Sequence, residues 1–287
     1  MVNTHASPVD LHAHSTASDG VLAPGAVVER AAASGVRVLA LTDHDTLAGL
    51  AQARAAAGRV GLLLVPGIEL SVTWHGVTLH VLGLGIDPDD AALGAATQRL
   101  ERVREARASA IAERLQAAGI GGALEGARRL ADRAQITRTH FARFLVEHGA
   151  VATMDQAFKR YLGRGTRAYV NADWAGLDEA VLWIRGAGGS AVLAHPLAYR
   201  LSSTRMRRLL QAFVALGGAG IEVVCGGYSP SMQQTCARWA REHGLLGSVG
   251  SDFHTPETPW CDLGRLAPLP PSVAPVWAPF VPAGGLV

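Results

Sequence analysis

The segment Val9-Asp10-Leu11-His12-Ala13-His14 sets two imidazoles one residue apart. In an extended chain the side chains alternate faces, so Asp10, His12 and His14 share one side while Val9, Leu11 and Ala13 take the other. Two imidazoles on one face can ligate one metal ion, and Asp19, after a short Ser/Thr-rich turn, can return a carboxylate to the same place. Alone, the pair is only suggestive, and a polar loop is the simpler reading. The rest of the chain adds weight, because His44, Glu69, His195, Asp252 and His254 each fall where an apolar run gives out. His80 lies inside an apolar strand and reads equally as a core histidine. Together these nine candidates comprise six imidazoles and three carboxylates, more than a single ion requires. They predict two or three divalent ions, with a carboxylate such as Glu69 bridging. Nitrogen and oxygen ligands without thiolate suit Mn²⁺, Zn²⁺ or Fe²⁺. Neighbouring ions of this kind acidify a bound water and clamp attacking and leaving oxygens at phosphorus, which points to phosphate ester hydrolysis. His5, His75, His148 and His243 fall in turns or helices and are expected outside the site. Asp10, Asp43 and Asp45 are expected to orient the imidazoles rather than bind metal.

The elements that must hold these residues alternate. Short apolar runs at 36–41, 62–65, 190–194, 220–224 and 245–249 read as buried strands. Helices are predicted at 24–34, 46–57, 177–187, 204–216 and 231–242, and a hairpin at 70–85 turns at His75-Gly76. A further strand is predicted at 168–171, and the Pro-rich tail from Pro268 reads as irregular. Repeated strand–helix units with polar residues at the strand ends predict an α/β parallel barrel with its site at the C-terminal face of the strands. Between 95 and 167 the pattern changes to Arg-rich helices. From Ala95 to Val170 there are 14 Lys and Arg against 7 Asp and Glu, a net of +7, while the remainder carries −5. An acidic body suits cations and a basic segment suits phosphates. The expected organisation is therefore a discontinuous barrel, 1–94 and 168–287, with a helical insertion at 95–167 over the active site. The N-terminus lacks a signal-peptide pattern, and no apolar run approaches the roughly 20 residues a membrane helix needs. Cys225, Cys236 and Cys261 suggest neither a disulfide framework nor a zinc ribbon. A cytoplasmic protein is expected, with no membrane contact and no obligate protein partner.

Asp10-Leu-His-Ala-His14, Thr42-Asp-His-Asp45, Gly67-Ile-Glu69, His80, Leu193-Ala-His-Pro196 and Gly250-Ser-Asp-Phe-His254 together resemble the motif set of the PHP (polymerase and histidinol phosphatase) phosphoesterases. That resemblance implies a distorted (β/α)7 barrel with a trinuclear metal centre, Mn²⁺ being the first expectation. It would assign His12, His14, Glu69 and Asp252 to one ion, Glu69, His80 and His195 to a second, and Asp19, His44 and His254 to a third. The insertion is similar to that of the branch of nucleoside 3′,5′-bisphosphate phosphatases that also act as 5′-to-3′ exonucleases on short RNA. By that likeness Arg138 and His140 would fix phosphate over the metals, and Arg104 or Arg107, at i and i+3 on one helix face, would hold a second phosphate. The branch tends to carry a Lys after the Gly that follows Tyr-Leu; here Thr166 and Arg167 follow Gly165, so Arg167 would have to stand in. The expected reaction converts adenosine 3′,5′-bisphosphate to AMP, with short single-stranded RNA as an additional substrate. The alternatives are a phosphatase for another small monoester, such as histidinol phosphate, and a non-catalytic metal-stabilised binding domain.

Overall fold

The computed structural model describes residues 6–132 and 134–282. His5 lies outside them. In chain order the elements are β1 (Val9–Asp10), α1 (Pro24–Ala33), β2 (Val38–Leu41), α2 (Leu50–Val60), β3 (Leu63–Trp74), β4 (Val77–Leu84), α3 (Ala91–Ala117), α4 (Ala123–Ala131) and α5 (Arg138–Glu147). They continue with α6 (Met154–Ala157), which runs into a π-helical turn at Phe158–Leu162, then β5 (Ala175–Gly176), α7 (Leu177–Gly186), β6 (Ser190–Leu193), α8 (Ser203–Ala215), β7 (Gly220–Cys225), α9 (Pro230–His243) and β8 (Leu246–Gly250).

The strands form one sheet in the order β1-β2-β3-β4-β6-β7-β8, with β5 attached to β3. Leu11 N–H donates to the Val249 carbonyl at 2.8 Å, and Asp252 N–H to that of His12 at 2.9 Å, so the two edges meet in a nearly closed barrel. All pairings on the main path are parallel except those of β4, which runs antiparallel to both β3 and β6. That reversal explains His80. Ser71 pairs with His80 and Glu69 with Leu82, so the first half of β4 lies at the face where the parallel strands end. The barrel is filled and wrapped by one apolar cluster running from Val9 to Val276. Nearly every position of β2, β6 and β7 is buried, as expected for strands covered on both faces.

A second apolar cluster, from Ala108 to Val170, includes Ile111, Leu115, Phe141, Phe144 and Leu145. Helix α3 joins the two: Leu93 and Leu100 pack in the first cluster, Ile111 and Leu115 in the second. The strand predicted at 168–171 does not form. Ala168 and Tyr169 N–H groups are taken by the carbonyls of Tyr161 and Thr166 within a local turn, leaving β5, four residues later, to pair with Val72 and Thr73. Among the described residues no helix is long and apolar enough to cross a membrane.

Candidate metal centre

The candidates are delivered by separate pieces of the barrel rim. His12 and His14 follow β1, Asp19 sits in the turn before α1, and His44 follows β2. Glu69 and His80 face each other across the β3–β4 hairpin, His195 follows β6, and Asp252 and His254 follow β8. Three non-glycine residues here, Asp45, His195 and Asp252, hold positive φ angles of 51°, 26° and 55°. Local backbone strain of this kind persists only where the surroundings over-determine it, and it gathers at functional sites.

All nine side chains converge. Donor atoms of His14, Asp19, His44 and His254 lie within 4.8 Å of one another, as do those of His12, Glu69 and His195, of His12, His14 and Asp252, and of His44, Glu69 and His80. These groups share His12, His14, His44 and Glu69, so they form one continuous cluster. Glu69 is its hub, with oxygens 2.9 Å from His80 Nδ1, 3.1 Å from His195 Nε2, 3.3 Å from His14 Nε2 and 3.4 Å from His12 Nε2.

The donor set fits divalent ions. Imidazole nitrogens point at each other, His12 Nε2 lying 3.1 Å from His14 Nε2 and His80 Nδ1 3.3 Å from His195 Nε2. His44 Nδ1 and Glu69 Oε2 lie 2.8 Å apart, yet neither is aligned as a hydrogen bond, and Asp19 Oδ1 is likewise buried without a partner. Buried lone pairs turned to a common point without donors between them need a cation. The charges compensate one another meanwhile. Burial opposes ionisation of Asp19, Glu69 and Asp252, but the surrounding imidazoles outweigh it and hold all three carboxyls well below their usual range. Burial also opposes charge on His254, whose pKa Asp19 and Asp252 nonetheless push up to about 10. For His44 burial prevails over Glu69 and Asp19, and its pKa falls to about 4.

The outer contacts differ from expectation. Asp10, Asp43 and Asp45 touch no imidazole of the cluster: Asp10 accepts from the Ser251 and His12 backbone N–H groups, Asp43 from Ser15 and Ser18, and Asp45 from Ser71 N–H and Arg104. Asp43 reaches His14 only through the Ser18 hydroxyl, 3.4 Å from Nδ1. Short side chains rooted in the backbone of the strand-end loops find that backbone first. The carboxylate that does hold an imidazole is Glu222, fully buried, 3.0 Å from His12 Nδ1 and accepting from His195 N–H at 2.6 Å. A β-bulge between Glu222 and Val224 breaks the register of β7 there. Gly250 leaves room for it, since a Cβ at that position would meet Glu222 Oε1 and His12 Cβ, both at 2.3 Å. The available signal was an acidic residue inside the otherwise apolar strand Gly220–Cys225. His75 occupies the hairpin turn, His148 ends α5 stacked on Phe144, and His243 ends α9.

A cavity opens beside the cluster, lined by Asp19, His44 and His80 on one side and by Arg104, Arg107, Arg138, Thr139, Phe158 and Trp174 on the other. Arg104 is buried, donating to Asp45 Oδ2 at 2.7 Å and to Ser71 Oγ at 3.0 Å. Its guanidinium and that of Arg107 both lie over the Trp174 ring, 5.2 and 5.4 Å from the centroid. Burial, with Arg138 and Arg104 nearby, lowers the Arg107 pKa to about 9. Arg138, over Phe158, is likewise lowered by burial. His140 does not line this cavity. Its Nδ1 accepts from Thr137 N–H in the capping box of α5, and it borders a separate pocket with Ser18 and Gly49.

The family model of the PHP domain matches residues 10–182, the stretch that contains six of the nine clustered residues. The chain belongs to the PHP family. A 5′-3′ exoribonuclease from Haemophilus influenzae is 48% identical over 94% of this chain and 98% of its own length. A 3′,5′-nucleoside bisphosphate phosphatase from Chromobacterium violaceum is 47% identical over 94% of this chain and 95% of its own length. Among solved structures, an amidohydrolase from Chromobacterium violaceum with bound sulfate and no metal matches with a TM-score of 0.92 and 46% identity, covering 96% of both chains. The PHP barrel is thus the frame on which these residues converge.

Proposed function

We propose that this chain is a metal-dependent phosphoesterase that removes the 3′-phosphate of nucleoside 3′,5′-bisphosphates and degrades short RNA from the 5′ end. The named activities of its relatives support this, and one structural observation carries it: Asp19, His44 and His80 of the nine-donor cluster face the three arginines across a single cavity. Six imidazoles and three carboxylates would hold two or three divalent ions, Mn²⁺ in our assignment, with Zn²⁺ or Fe²⁺ distinguishable by elemental analysis. Bound there, such ions would supply Lewis acidity and an ionised water at neutral pH.

The protein's own groups do the rest. Among the described residues Arg107 and Arg138 are half-buried cations without a carboxylate partner, and Arg104 is fixed by Asp45, so a doubly phosphorylated ligand is attracted and oriented before reaction. Helix α3 brings Arg104 and Arg107 from the segment 95–167, which we take as the insertion that closes the site. A phosphate monoester without a second phosphate, such as histidinol phosphate, leaves part of this positive charge uncompensated. A nucleotide substrate and three free cysteines agree with a cytoplasmic setting. The test is direct. Metal-loaded protein should convert adenosine 3′,5′-bisphosphate to AMP and phosphate, resolved by chromatography, and should shorten a 5′-phosphorylated oligoribonucleotide one nucleotide at a time. Faster turnover of histidinol phosphate, or no hydrolysis of any phosphoester, overturns the proposal.

A further inference from the structure

Phe158 lines the cavity, and twelve residues on, the Val170 carbonyl accepts from Nε of Arg107, another lining residue, at 3.2 Å. Between these points it makes a π-helical turn and a tight loop. That loop is tied by Gly163 N–H to Phe158 O at 2.7 Å, Thr166 N–H to Gly163 O at 3.1 Å and Ala168 N–H to Tyr161 O at 2.9 Å. From Gln156 to Ala172 the sequence holds Lys159, Arg160, Arg164 and Arg167 and no acidic residue. On the neighbouring helices three exposed arginines face carboxylates, Arg99 facing Glu179, Arg128 facing Glu105 and Arg129 facing Glu147, while Arg114 donates to the Tyr169 carbonyl. Lys159 pairs with Asp155. Among the described residues, Arg160, Arg164 and Arg167 are exposed and have no carboxylate partner. The Arg160 guanidinium sits over the Tyr161 ring at 5.5 Å, so a cation and an aromatic face are presented together.

Unpaired cations held on an ordered loop, continuous with the cavity, match a chain of regularly spaced phosphates better than a compact ligand. Accepting the phosphoesterase assignment, we infer that the segment from Arg160 to Arg167 is a track for the backbone of single-stranded RNA that extends beyond the cavity. A nucleoside bisphosphate, with both phosphates inside, does not reach it. Selectivity for oligonucleotide over mononucleotide is then set on this loop, not at the metal cluster.

The experiment compares two ligands on the same metal-loaded, full-length protein. Binding of a 5′-phosphorylated, 3′-fluorescein-labelled decaadenylate with phosphorothioate linkages is followed by anisotropy as salt is raised. Turnover of adenosine 3′,5′-bisphosphate is measured in parallel. The double variant Arg160→Gln/Arg164→Gln should bind the decamer about tenfold more weakly at 0.15 M salt, with the slope of log Kd against log salt reduced by about 1.4. Its kcat/KM for the bisphosphate should stay that of wild type, and Arg160→Lys/Arg164→Lys should restore decamer binding. Unchanged decamer binding overturns the inference, and so does an equal loss of bisphosphate turnover, which would place these arginines at the cavity itself. Should wild-type protein bind the decamer through these arginines yet hydrolyse neither the bisphosphate nor an unmodified decaadenylate, the phosphoesterase assignment fails and the track stands.

Discussion

Asp45→Asn tests whether Arg104 is a positioned cation or an incidental one. Asp45 Oδ1 accepts from Ser71 N–H at 2.7 Å and Oδ2 from Arg104 Nε at 2.7 Å, and the two side chains are 0% and 6% exposed. Breaking a buried pair of this kind strands a charge and costs about 3–5 kcal/mol. Asparagine tolerates the positive φ at this position, so the backbone adds little to the cost. It also keeps one carbonyl oxygen for Ser71 N–H, which returns about 1 kcal/mol. The expected loss is about 3 kcal/mol, read from urea unfolding of metal-free protein by circular dichroism. Arg104→Met removes the other charge, and the double variant then holds a neutral amide against an apolar chain. The cycle should show a coupling of about 2 kcal/mol or more, the double variant being more stable than the sum of the singles requires. Stability of Asp45→Asn within about 0.5 kcal/mol of wild type, or additive single effects, would refute the reading that Asp45 fixes Arg104 in place.

Two further outcomes follow from the same contacts. Glu222→Gln keeps the shape beside His12 but removes the charge that holds its imidazole, so metal affinity by chelator competition should fall about 10- to 100-fold; unchanged affinity would show that Glu222 serves only the His195 backbone. Burial lowers the His140 pKa to about 4, against about 6.5 when unfolded, so below pH 6.5 the unfolded chain takes up a proton that the native state does not. Stability contributed above pH 6.5 is therefore lost as pH falls towards 4, by about 3 kcal/mol. His140→Gln should flatten that part of the metal-free stability curve, and superimposable curves for variant and wild type would exclude His140 as the cause.

Residue types and strand periodicity were sufficient to name the nine clustered side chains and the barrel, because every one but Asp19 follows or interrupts an apolar run whose length marks a buried strand, and Asp19 follows the first of these ends by a short turn. His80 was ambiguous for a physical reason: its strand is the one that runs backwards, so a position that reads as mid-strand lies at the functional face. The strand expected at 168–171 failed because strand propensity says nothing about whether an edge is available to pair with.

What the linear pattern determined, then, is local: which residues can bind metal, where strands end, and where arginines are dense. Only the tertiary structure decided partners separated by long stretches of chain. Glu222 meets His12 across 210 residues, Arg104 is claimed by Asp45 across 59, and His140 turns to its own helix cap instead of the cavity. Such pairings depend on burial and on competition among nearby donors and acceptors, and both arise only once the barrel has closed and the α3 helix has been laid against its rim.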